Sequence, residues 1–110
     1  VEVAQTQATG TVTLATASGT VGATINGVSV TTAFTTDDAT TATALAAAIN
    51  ASTNALVEQH VTAEASAGVV TLTAKHPGYV GNAVTLAATG TGATASGARL
   101  TGGTSTTYTL

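Results

Sequence analysis

The sequence contains no cysteine, no methionine and no tryptophan, and Pro77 is its single proline. Without a thiol there is no disulfide framework, no thiolate nucleophile and no zinc–sulfur site. Charge is scarce too: Lys75 and Arg99 stand against five acids, for a formal net charge of −3. Each phosphate contact needs its own cation, so no nucleic-acid partner is expected. Aromatic residues make up 3% of the chain, and Tyr79 and Tyr108 alone offer a tyrosine face for sugar stacking. No apolar run reaches the roughly 18 residues that span a bilayer, and no basic segment leads an apolar one at the N-terminus, so no membrane partner is expected.

What fills the chain instead is small and neutral: 27 Thr and 24 Ala in 110 residues. That length favours one domain, with a core burying roughly two thirds of the unfolded surface. Residues 1–10 carry no firm period and read as an extended N-terminal arm. Residues 11–101 read as the domain, and 102–110 as a polar tail or second arm. Thr11 to Ala15 alternates polar and apolar residues, the pattern of a strand with Val12 and Leu14 on one face. Val21 to Ile25 and Val28 to Phe34 flank Asn26-Gly27, which suits the positive φ angles of a two-residue hairpin turn.

Thr36-Asp37-Asp38 offers capping oxygens and negative charge where a helix begins. Ala42, Leu45, Ala46 and Ile49 then recur at helical spacing, which predicts a helix over 40–51 with a narrow apolar stripe. Val57 to Ser66 alternates and predicts a strand. Ala67-Gly68 turns it into Val69 to Lys75, with Ala63 opposite Leu72, Val61 opposite Ala74 and His60 opposite Lys75. His76 to Asn82 reads as a loop, Ala83 to Ala88 as a strand, Thr89 to Gly97 as a flexible loop, and Ala98 to Thr101 as a last short strand. This order predicts an α+β fold: a mainly antiparallel sheet or small sandwich of about six to seven strands, with one short helix packed on one face.

Several groups of residues have the letters of a chemical site. Gly90-Thr-Gly92 follows a strand as a dinucleotide fingerprint does, but no helix, parallel unit or later acid accompanies it. Glu58, His60 and Glu64 share a strand face in this reading, where alternate residues spread along the strand instead of converging on a metal. Asp37 and Asp38 could form a carboxylate pair, although their place at a helix start favours capping. Asn50-Ala51-Ser52 has the form of a glycosylation sequon. No Gly-x-Ser-x-Gly elbow occurs. Neither catalytic residues nor a cofactor or metal is expected, and the chain does not read as an enzyme.

The order of several blocks is more informative. Gly10-Thr-Val-Thr-Leu, Ala23-Thr-Ile-Asn-Gly-Val, the Ala-Leu-Ala-Ala-Ala-Ile-Asn helix, Gly68-Val-Val-Thr-Leu-Thr-Ala-Lys, Gly78-Tyr-Val-Gly-Asn and Gly97-Ala-Arg-Leu-Thr-Gly-Gly together resemble a small module recurring in tailed-bacteriophage structural proteins. Tail sheath and other tail-associated proteins contain such modules, and the resemblance covers about residues 9–104. It implies a non-enzymatic component of the virion, in the tail, that self-associates as a homo-oligomer or docks on other virion structural subunits. A capsid decoration protein is an alternative, as is an extracellular adhesin or carbohydrate-binding β module. The residues add a candidate interface. Val1, Val3, Tyr108 and Leu110 are apolar groups on otherwise polar ends, suited to strand addition on a neighbour's sheet.

Overall fold

The computed structural model describes residues 2–3, 6–76, 78–104 and 107–108. The architecture is α+β and mainly antiparallel. Strands β1 (Glu2–Val3), β2 (Thr9–Ile25) and β3 (Val28–Ala33) precede helix α1 (Asp38–Asn50) and the short α2 (Ala55–Glu58). Strands β4 (Val61–Ser66) and β5 (Val69–Ala74), a 3-10 turn (Tyr79–Ala83), β6 (Leu86–Ala95) and β7 (Thr107–Tyr108) complete the chain. A five-stranded sheet holds β2 to β6, and β1 pairs with β7 in a separate two-stranded ribbon.

The 17-residue β2 organises the sheet. Its first half pairs with β5 from Thr9↔Thr73 to Thr13↔Val69, and its second half with β3 from Thr20↔Ala33 to Ile25↔Val28. Along its other edge runs β6, from Val12↔Ala95 to Ile25↔Leu86. The two strands expected at 11–15 and 21–25 are therefore one strand, carried through an irregular middle where the register to β6 shifts twice. Thr16 (φ 48°) and Gly19 (φ 70°) lie in this stretch. Beyond the bend the halves come close: a Cβ placed on Gly10 would lie 3.0 Å from Leu86 Cδ2, although Leu86 pairs with Ile25.

The Thr89 to Gly97 stretch, expected as a flexible loop, is largely the body of β6, and the strand expected at 83–88 begins only at Leu86. The shift has a steric reason. Gly92 takes φ 83°, and a Cβ there would lie 2.6 Å from Ala15 O and 2.7 Å from Ala17 Cα. Only a glycine lets the irregular middle of β2 come this close. A second correction concerns Val57, Glu58 and Gln59, expected in a strand. Asn54 accepts the Leu56 N–H at 3.0 Å and caps α2, so the strand begins at Val61. From Val61 the expected hairpin register holds, with Val61↔Ala74, Ala63↔Leu72 and the Lys75 N–H donated to His60 O at 2.8 Å.

The core lies between α1 and the sheet. Leu45, Ile49, Ala42 and Ala46 meet Val12, Val21, Ile25, Val61, Val70 and Leu72 in one buried cluster, with Val57 of α2 beside them. Thr41 is the one polar residue buried among the described residues. Its hydroxyl donates toward Thr35 O and Asp37 O and accepts the Thr35 N–H, which satisfies it fully. The Asn26-Gly27 turn, at φ 51° and 83°, closes the β2–β3 hairpin as its sequence predicts.

Candidate functional site

The two chain ends are held together by a single loop. The expected arm over 1–10 is shorter than its sequence implied, because Thr9 and Gly10 already belong to β2 and Ala8 is completely buried. Ala8 O accepts the Ala74 N–H at 2.9 Å, which ties this stretch to the end of β5. The tail over 102–110 is likewise docked at its start, where Gly103 is buried. Small residues allow this: Ala8 fits without a long side chain, and a Cβ on Gly103 would lie 2.4 Å from Gly78 O.

Asn82, in the 3-10 turn, forms the centre of the clamp. Its Nδ2 donates to Gly103 O and its Oδ1 accepts the Gly103 N–H, both at 2.9 Å, as a neighbouring strand would do. Gly78 of the same loop donates its N–H to Thr6 O at 2.9 Å. Thr6 and Thr104 then meet across the ends: Thr6 N–H to Thr104 O at 3.0 Å, Thr104 N–H to Thr6 O at 3.3 Å, and their hydroxyls 2.7 Å apart. Glu2↔Tyr108 and Val3↔Thr107 also pair antiparallel, in the separate two-stranded ribbon of β1 and β7. Thr9↔Thr101 and Thr6↔Thr104 are isolated antiparallel bridges between the same two segments, so the described stretches of the N- and C-terminal segments lie side by side.

Of the four interface candidates, Val3 and Tyr108 lie in this ribbon, in β1 and β7, on neighbouring rungs. Val1 and Leu110 lie outside the described residues. Asn82 and Gly103 were not singled out from sequence, where Gly78-Tyr-Val-Gly-Asn read only as a loop. Their one signal was membership of the blocks that carry the phage resemblance.

The other candidate groups come apart. Glu58 sits in α2 and not on the strand with Glu64, so the expected row is broken. His60 instead meets His76 edge to face, ring centroids 6.1 Å apart, and also lines a hollow of about 140 Å³ with Asn26, Ala83 and Val84. Among the described residues no group of three or more His, Asp or Glu could hold a metal ion, and no helix is long and apolar enough to cross a membrane. Asp37 and Asp38 point to different tasks. Asp37 accepts the Thr40 N–H at 2.7 Å, and this bond, with one from the Thr40 hydroxyl, holds its carboxyl below the usual value. Asp38 bonds back to β2, and the Asn50 of the sequon bonds to Ala63. Gly90-Thr-Gly92 lies in β6 and opens no helix.

No protein-family model matches the chain, and no curated protein matches it either.

Proposed function

We propose that this chain is a structural assembly module of a tailed-bacteriophage particle, placed in the tail, which acts by associating with further copies of itself or with neighbouring structural subunits. The observation that carries the reading is the clamped terminal ribbon. A two-stranded ribbon by itself is marginally stable in water, and adding a strand from a neighbour completes it. The clamp at Asn82 holds the start of the C-terminal segment beside the N-terminal one, so that both are presented together to such a partner. The Thr- and Ala-rich surface suits burial, because short side chains lose little rotamer freedom when covered. The bend that returns Gly10 to Leu86 supports reading the domain as a small sandwich, a rigid unit from which the ribbon extends.

Electron microscopy of the purified chain over a range of concentrations tests this. Regular rings, tubes or sheets are expected. Single particles of monomer size at every concentration contradict association with further copies.

A further inference from the structure

The outer edges of the five-stranded sheet are not equally open. At β4 the edge is closed by Asn50, the last residue of α1: its Nδ2 donates to Ala63 O and its Oδ1 accepts the Ala63 N–H, both at 2.8 Å. That carboxamide occupies the place of a further strand. At the start of β6, Ala98 O accepts the Leu86 N–H at 2.9 Å and covers that end of its edge. The edge of β3 has no such cover. Its closing pair with β2, Ile25↔Val28, sets the alternation of the ladder. The N–H and C=O groups of Ser29, Thr31 and Ala33 therefore point away from β2. Among the described residues none of these main-chain groups has a hydrogen-bond partner. The strand reads Val-Ser-Val-Thr-Thr-Ala. It has neither the charge nor the proline with which sheet edges are normally kept apart.

We infer that β3 pairs antiparallel with β3 of a second copy of this chain, about a two-fold axis at Thr31. The register argues for a copy as the occupant. With Thr31 opposite its own counterpart, Ser29 faces Ala33, Val30 faces Thr32 and Val28 faces Phe34. Val28, Val30 and Phe34 are half-buried residues packed on the rim of the core. In this register the Phe34 ring of each copy covers Val28 of the other, so the apolar rim is completed on both sides at once. Ser29, Thr31 and Ala33, exposed on the opposite face, are small and uncharged, and no like charges meet across the axis. The contact is self-complementary and closes after two copies. It stands on the edge itself and not on the terminal ribbon or the phage reading.

Thr31→Lys and Thr31→Glu in the full chain, studied by sedimentation equilibrium, test the pairing. The position is exposed, so both variants are expected to fold, melting below the parent only by what the lost pairing contributes and alike at concentrations low enough to dissociate the parent. The parent should sediment as a dimer, or as a larger assembly built from dimers. Each variant alone should sediment as a smaller species than the parent at the same concentration, because two like charges then face each other at the axis. The equimolar mixture should recover the dimer, with Lys facing Glu. A parent that stays monomeric at millimolar concentration overturns the inference, as do variants that each associate like the parent, or a mixture that gains nothing. Large assemblies unaffected by either charge would point to the terminal ribbon and against β3. A discrete parent dimer that builds nothing larger would support β3 while counting against the assembly reading.

Discussion

The carboxylate of Asp38 is bonded to β2 at Thr16, whose N–H it accepts on Oδ2 at 3.0 Å, while Oδ1 accepts the N–H of Ala17 at the same distance. These two donors lie where β2 has no neighbouring strand on that side. The β5 hairpin ends at the bond from Leu14 N–H to Gly68 O, and β3 resumes contact at the bond from Phe34 N–H to Gly19 O. One side chain from the first turn of α1 thus fills a gap in a ladder and joins the helix to the sheet. Asp38→Ala should cost about 1–3 kcal/mol, since hydrogen bonds to a charged group are lost and two N–H groups are released. Chemical denaturation of parent and variant measures it. An unchanged midpoint would show that water replaces the carboxylate without loss.

At Gly92 the left-handed backbone and the contact with Ala15 O act together. Gly92→Ala should destabilise by at least about 1–2 kcal/mol, the cost of the backbone conformation alone for a residue with a Cβ. Thermal unfolding checks this, and a neutral outcome would mean that β2 and β6 separate at the bend.

How much of this could be read in the sequence depended on the range of the interaction. The Asn26-Gly27 turn, the Asp37 cap, the Leu45 and Ile49 stripe and the 61–75 hairpin are set by neighbours in sequence, and their patterns predicted them. The union of two strands into β2 depends on Gly90 and Gly92, some 70 residues away, which are needed only where β2 approaches. Asn54 turned an alternating run into α2 because a side-chain cap competes with strand periodicity over four residues. The clamp was hidden for the same reason as the bend. Asn82 becomes informative only once Gly103 lies beside it.

Leu45 is fully buried between α1 and the sheet. Leu45→Ala should cost about 2–5 kcal/mol, the range for a leucine truncated in a close-packed core. Equilibrium unfolding in denaturant gives the value. A loss below about 0.5 kcal/mol, far under that range, would mean the helix is not packed there.

Asp37 sets a pH dependence with a definite sign. Its folded carboxyl lies below the ordinary value of 3.8 because the Thr40 N–H bonds the charged form. The folded state is therefore favoured fully above the unfolded value, and this contribution is lost as pH falls below 3.8 through the lower folded value. Asp37→Asn keeps a capping oxygen without the titration, so its stability should fall less steeply in that acid window. Unfolding midpoints recorded for both proteins from neutral to acid pH compare the slopes. Equal slopes would remove Asp37 as a source of acid sensitivity.

The terminal ribbon and its clamp are tested most directly by sedimentation velocity on four forms of the chain: the parent, Asn82→Ala, a truncation lacking residues 1–7 and one lacking 105–110. Thermal melts are recorded on the same samples. The account predicts that the 105–110 truncation melts close to the parent, and that assembly larger than the β3 dimer is lost in at least one truncation and weakened in Asn82→Ala. It also predicts that raising the salt weakens the parent assembly only slightly, because main-chain and apolar contacts are not screened. Assembly that survives unchanged in Asn82→Ala and in both truncations would contradict it.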